Sequence, residues 1–199
     1  MAVLDPVATD PVAAAALDEG WIRAVLFDHA IDDWVDLGPD PVRRRYVGQI
    51  YADHVGAAYA AWKWRCDRAG TDVDTPPAGQ VPAGALGLQV AVQSWTELMA
   101  ALFTVGRAQG LLFAGLAGSS DEARRAFDRV GRDLTGHAAL AFLEIRRGDF
   151  VDRAGLEAAL ARLIPATAEL LTGTGVDTGW QGRLRPLLAG LGLEMKGAS

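Results

Sequence analysis

The stretch SSDEARRAFDRVGRDLTGHAALAFLEIRRG, Ser119 to Gly148, decides how this chain is read. Ser119 followed by Glu122 has the Ser-x-x-Glu spacing of a capping box, in which each side chain satisfies a backbone N–H that the first helical turn leaves bare. Ala123, Ala126, Val130, His137 and Ala141 then fall along one side at helical spacing, which predicts a helix from about Asp121 to Arg146. Gly148 stops it, because glycine readily takes the left-handed conformation beyond a last turn. His137 sits in an otherwise apolar stripe, four residues after Asp133. Residues four apart stand one above the other on a helix, so this carboxylate is expected to reach the imidazole.

Working outward, the same periodicity predicts three helices upstream and two downstream. Helix three spans about Leu86–Leu116, with Leu88, Val92, Trp95, Met99, Leu102 and Gly106 as its packing stripe. Helix two spans about Val42–Arg68, with Val47, Ile50, His54, Ala57, Ala61 and Trp64 on one face. Helix one spans about Val12–Leu37, and its stripe is Leu17, Trp21, Val25, Asp28, Asp32 and Val35. Gly38-Pro39-Asp40-Pro41 separates helices one and two, since proline suits a first turn and cannot continue an old helix. Residues 1–11, with Pro6 and Pro11, read as an extended lead-in.

Downstream, shorter helices are expected over about Arg153–Leu171 and Trp180–Met195, kinked or broken at Pro165 and Pro186. Residues 70–84 hold Pro76, Pro77, Pro82 and three glycines without a helical period. That connection is longer than an antiparallel turn needs, and it suits the crossover of a ferritin-like topology. No strand alternation and no short repeat is present. The expected fold is all-α, one domain over 1–199: a ferritin-like four-helix bundle with a long crossover between helices two and three, plus two shorter C-terminal helices.

Composition narrows the function classes. Half of the 199 residues are hydrophobic and 22% are charged, which is ordinary globular usage. The net charge of −6 offers no footprint for a nucleic-acid backbone. The short arginine runs (Arg43–Arg45, Arg124–Arg125, Arg146–Arg147) read as solvated helix ends. Cys66 is alone, so neither a disulfide framework nor a thiolate metal site forms within one chain. The apolar run Leu111–Ala117 is short and interrupted by glycine, and no signal-like leader is evident. The expectation is a cytoplasmic protein without nucleic-acid or membrane partners.

The candidate chemistry lies on four helices. Asp133 and His137 read either as one arm of a metal site, as a buried acid–base pair, or as a polar plug in a helix interface. Glu97, four residues after Gln93, is the carboxylate that a bundle metal site would want on helix three; measured from the Trp95/Met99 stripe it points to solvent. Asp28 and Asp32 share the apolar stripe of helix one, either as a second half-site or as a wet helix end. His54 falls on the apolar face of helix two. The metal candidates are therefore Glu97, Asp133, His137, His54 and Asp28. None of the three histidines (His29, His54, His137) follows a glutamate by three residues. A carboxylate-bridged di-iron centre uses that Glu-x-x-His unit twice, so the ligand set is incomplete. Most of the six tryptophans read as core or interface anchors, with Trp34 as a candidate exposed anchor near a helix end.

The chain resembles the ferritin-like subunits of the phenylacetyl-CoA epoxidase family. The resemblance runs from about Pro82 to Leu171 and rests on order and spacing. It comprises Pro82-x-Gly84, Gln93 and Glu97, Ser120-Asp121, Asp133 and His137, and Thr167-Ala168-Glu169-Leu170. The closing stretch Pro186-Leu187-Leu188-Ala189 to Glu194-Met195 is also similar. Without the Glu-x-x-His pair, the chain looks more like the supporting partner subunit than the iron-bearing one. The chain is shorter than that subunit, and its crossover lacks the longer insert, which leaves the substrate open. What the resemblance implies is a structural partner of a catalytic ferritin-like subunit acting on an aromatic or acyl-CoA-type substrate. That role carries no cofactor of its own, or di-iron if any, and an apolar helical face closed by homo- or hetero-oligomerisation. Two alternatives stand beside it. One is a ferritin-like metal-dependent oxygenase or hydroxylase, more distantly resembling the tRNA-hydroxylating enzymes. The other is a cofactor-free helical enzyme using Asp133 and His137.

Overall fold

Helices are the only regular structure among the residues described by this computed structural model, which are 34–50, 52–53, 56, 63, 92–117, 121–173 and 179–194. After helical residues 34–36, α1 covers 41–50, with 52, 53, 56 and 63 also helical. α2 (Trp95–Ala101) passes through a π-helical segment (Leu102–Gly106) into α3 (Arg107–Ala117). α4 (Asp121–Arg147), α5 (Arg153–Gly173) and α6 (Trp180–Gly190) follow. The all-α expectation holds for these residues. The lead-in 1–11, most of helix one, the linker 70–84 and the cap Ser119 lie outside the described residues.

Local chemistry explains the boundaries. Asp40 caps α1, its carboxylate accepting from the Arg43 N–H at 2.8 Å, and Pro41 occupies the first turn. Gly38 is required in the preceding turn, because a Cβ there would lie 2.7 Å from the Arg44 nitrogen. α2 begins at Trp95 rather than Leu86: residues 92–94 are not helical, and the Ser94 hydroxyl accepts from the Glu97 N–H at 3.2 Å. Glu97 reaches back to accept the Gln93 N–H at 2.7 Å, closing a variant of the capping box. Asp152 caps α5 through the Gly155 N–H at 2.6 Å, and α5 runs unbroken through Pro165. α6 continues through Pro186 but ends at Gly190, not Met195. There Gly192 takes φ +67°, its N–H bonds to the Ala189 carbonyl, and the Leu193 N–H bonds to the Leu188 carbonyl. That is a Schellman motif, with Leu193 and Leu188 both buried beneath it.

The π-helical segment opens one turn of the central helix. The Thr104 hydroxyl, fully buried, donates to the Ala100 carbonyl at 2.7 Å. The buried indole of Trp180 in α6 donates to the Thr104 carbonyl at 3.1 Å. The Thr104 carbonyl thus accepts both from the Arg107 N–H of its own helix and from the indole of another, using two lone pairs of one backbone oxygen.

Packing follows from which faces are small or apolar. α3 runs along α4, and Gly110 and Gly131 let the two backbones close. A Cβ on Gly110 would meet Thr135 Oγ1 at 2.6 Å, and one on Gly131 would meet the Ala114 nitrogen at 3.1 Å. α2 packs on α5, and the π-helical segment sits between α4 and α5. Ile50, Met99, Phe103, Leu163 and Leu184 belong to one core, so α1, α2, the π-helical segment, α5 and α6 all contribute to it. Trp34 is buried in that core as well, not exposed as an interface anchor. By length and composition Trp95–Gly115 is apolar enough to cross a membrane, with a mean hydropathy of 1.3. Two-thirds of it is buried inside the fold, as expected of a central core helix.

Candidate functional site

α1 and α4 run antiparallel, and polar side chains fill their seam. Near the start of α1, the Arg43 guanidinium donates to Glu144 of α4 at 2.7 Å and also pairs with Asp40. One turn on, the Tyr46 ring lies edge-on to His137, with centroids 6.4 Å apart. Two turns further, His137 Nε2 lies 3.0 Å from Asp53 Oδ2, and Gln49 donates to the other oxygen of Asp53 at 3.1 Å. His137 is 7% exposed, so this pair is a largely closed contact between the two helices. The Tyr46 hydroxyl is buried without a hydrogen-bond partner among the described residues. Burial raises its pKa above the usual tyrosine value, and the negative charge of Glu144 adds to the shift.

The structure distributes the sequence candidates differently from the spacing argument. Asp133 does not hold His137. Its carboxylate lies 3.4 Å from Arg129 on the exposed side of α4. The His137 Nε2 lies instead against Asp53, a helical residue just after α1 that local spacing alone does not couple to it. Placement of Asp53 on the same helical face as Tyr46 and Ile50 is the signal that could have found it, since a carboxylate on a packing face needs a partner. Glu97 points neither to a metal cluster nor freely into water: besides its cap, it accepts from Arg162 of α5 at 3.1 Å. His54 and Asp28 lie outside the described residues.

A di-iron centre needs several histidines and carboxylates converging on one point. Among the described residues no three such groups converge. The contribution of Glu97, Asp133 and His137 is three separate contacts. What the seam does offer chemically is an orienting carboxylate for one imidazole, which fixes the position of the ring.

Beside the seam lies a cleft of about 630 Å³, walled by Val42, Tyr46, Leu140 and Leu143 and rimmed by Arg146 and Arg147. Arg43 and Glu144 line its floor as an ion pair. The Arg43 guanidinium also lies over the Phe150 ring, 4.4 Å from its centroid. No family model, no curated protein and no solved structure matches this chain.

Proposed function

We propose that this protein is a non-catalytic helical subunit of the ferritin-like oxygenase type, a scaffold for a catalytic partner rather than the bearer of a metal site. The observation that supports this reading is the fate of the candidate ligands. Glu97 is tied to Arg162, Asp133 to Arg129 and His137 to Asp53, each in its own contact on a different part of the bundle. Glu97 ties α2 to α5 and His137 ties α4 to Asp53, while the Asp133 contact stays within α4; among the described residues the three share no point where a substrate or ion would meet several of them. The substrate would be handled by the partner, and a cytoplasmic setting goes with the same proposal. Fe(II) oxidation tests it: the purified protein should oxidise added Fe(II) no faster than buffer does. A protein-dependent burst, abolished by His137→Ala, would replace the scaffold with a ferritin-like oxidase.

One observation favours a second reading, a cofactor-free acid–base enzyme. His137 and Asp53 form an oriented pair one turn from a cleft that Tyr46 lines. His137 itself, however, is almost fully buried, and proton transfer to a substrate needs the ring within hydrogen-bond reach of it.

A further inference from the structure

Four large hydrophobic side chains are exposed among the described residues: Val42 at 77%, Leu143 at 49%, Phe150 at 45% and Leu140 at 44%. They are not scattered. Val42, Leu140 and Leu143 wall the same cleft, and Phe150 lies beneath the Arg43 that lines it. Single exposed apolar residues are normal on a soluble protein, but their concentration at one groove marks an interaction site. The groove lies between two antiparallel helices, and Leu140, Leu143 and Arg147 recur at three- and four-residue intervals along its α4 side. That is the shape and period into which the apolar face of a third helix fits.

Charge narrows the occupant. Glu144 is neutralised from below by Arg43 at 2.7 Å, so the acid inside the cleft is already satisfied. Arg146 makes no ion pair among the described residues, and Arg147 reaches Glu144 and Asp149 only at 3.7 and 3.9 Å. The exposed rim is therefore cationic on a chain whose net charge is −6. We infer that the α1/α4 cleft docks an acidic amphipathic helix of a partner protein, with apolar residues against Val42, Leu140 and Leu143 and carboxylates against Arg146 and Arg147. This rests on the supporting-subunit reading and names the face that reading requires.

A designed probe tests it: a fluorescein-labelled helical peptide with leucines at i, i+3, i+4 and i+7 and glutamates elsewhere, titrated into the full chain by anisotropy. A twin peptide with lysine in place of glutamate serves as control. The acidic peptide should bind saturably and more weakly as salt rises, and the lysine twin should bind at least about tenfold more weakly. Leu143→Asp should weaken the acidic peptide by about tenfold. Arg146→Glu with Arg147→Glu should reverse the preference toward the lysine twin, a gain of binding that a misfolded variant cannot produce. Equal binding of both peptides, or binding indifferent to Leu143→Asp, would overturn the proposal. A dimer in light scattering that Leu143→Asp dissociates would also overturn it, by assigning the face to a second copy. Fe(II) oxidation separates the two failures. Peptide binding together with a ferroxidase burst sinks the scaffold reading alone; no burst and no binding sinks the docking face alone.

Discussion

At the scale of single residues, two aspartates separate what spacing suggests from what the tertiary fold uses. Asp133 precedes His137 by one turn, yet the carboxylate at His137 Nε2 is Asp53. Asp53→Ala should lower stability by about 1–3 kcal/mol, because it strips a largely buried imidazole of a hydrogen-bond partner. Asp133→Ala should change stability by no more than about 0.5 kcal/mol, since its pair with Arg129 is exposed and long. Chemical denaturation of the two variants measures the difference. Asp40 gives a pH signature. The backbone N–H of Arg43 and the Arg43 guanidinium hold its carboxyl below the ordinary value of 3.8. A folded-state pKa below the unfolded one means that the unfolded chain takes up the proton more readily. The stabilisation is therefore present above the ordinary carboxylate range and is lost as pH falls through the folded pKa. Asp40→Ala should lower Tm at neutral pH, and the gap from wild type should close on acidification. His137 was legible as the residue to watch, but its partner was not. That pairing depends on the register of two helices more than eighty residues apart in sequence, which no local period encodes.

Element by element, what was legible followed from local rules. The turn Gly38-Pro39-Asp40-Pro41, the span of α4 and its stop at Gly148, where φ is +75°, all came from chemistry within a few residues. The misses were of the same local kind. Ser94-x-x-Glu97 is as good a start signal as Ser119-x-x-Glu122, and it places the beginning of α2 where the apolar stripe alone overran. Gly192 marks the end of α6 in the same way. The π-helical turn was not legible, because no local period marks it, and the Trp180 indole that bonds its Thr104 carbonyl comes from a helix 76 residues away. Trp180→Phe keeps most of the apolar bulk and removes the indole donor to Thr104. It should cost about 1–3 kcal/mol in thermal or denaturant unfolding, with little loss of helical signal. Gly110→Val tests the α3–α4 contact. Its side chain meets Thr135 oxygen and backbone with no slack, so a loss of about 1–3 kcal/mol or more outweighs any gain in helix propensity.

Across the whole molecule, the polar seam and the apolar cleft divide the labour between holding and meeting. Arg43 joins the two: it neutralises Glu144 within the seam and covers Phe150 at the edge of the exposed patch. The proposed scaffold carries no cofactor of its own, the alternative is a di-iron bundle, and the separate contacts of Glu97, Asp133 and His137 among the described residues favour the scaffold. The two pictures differ most in one quantity. The deciding measurement is the iron content, by elemental analysis, of protein purified from cells grown with iron supplied. Iron at background, unchanged by His137→Ala, is the predicted result; about two irons per chain, as a ferritin-like di-iron bundle holds, and their loss in His137→Ala would contradict the account.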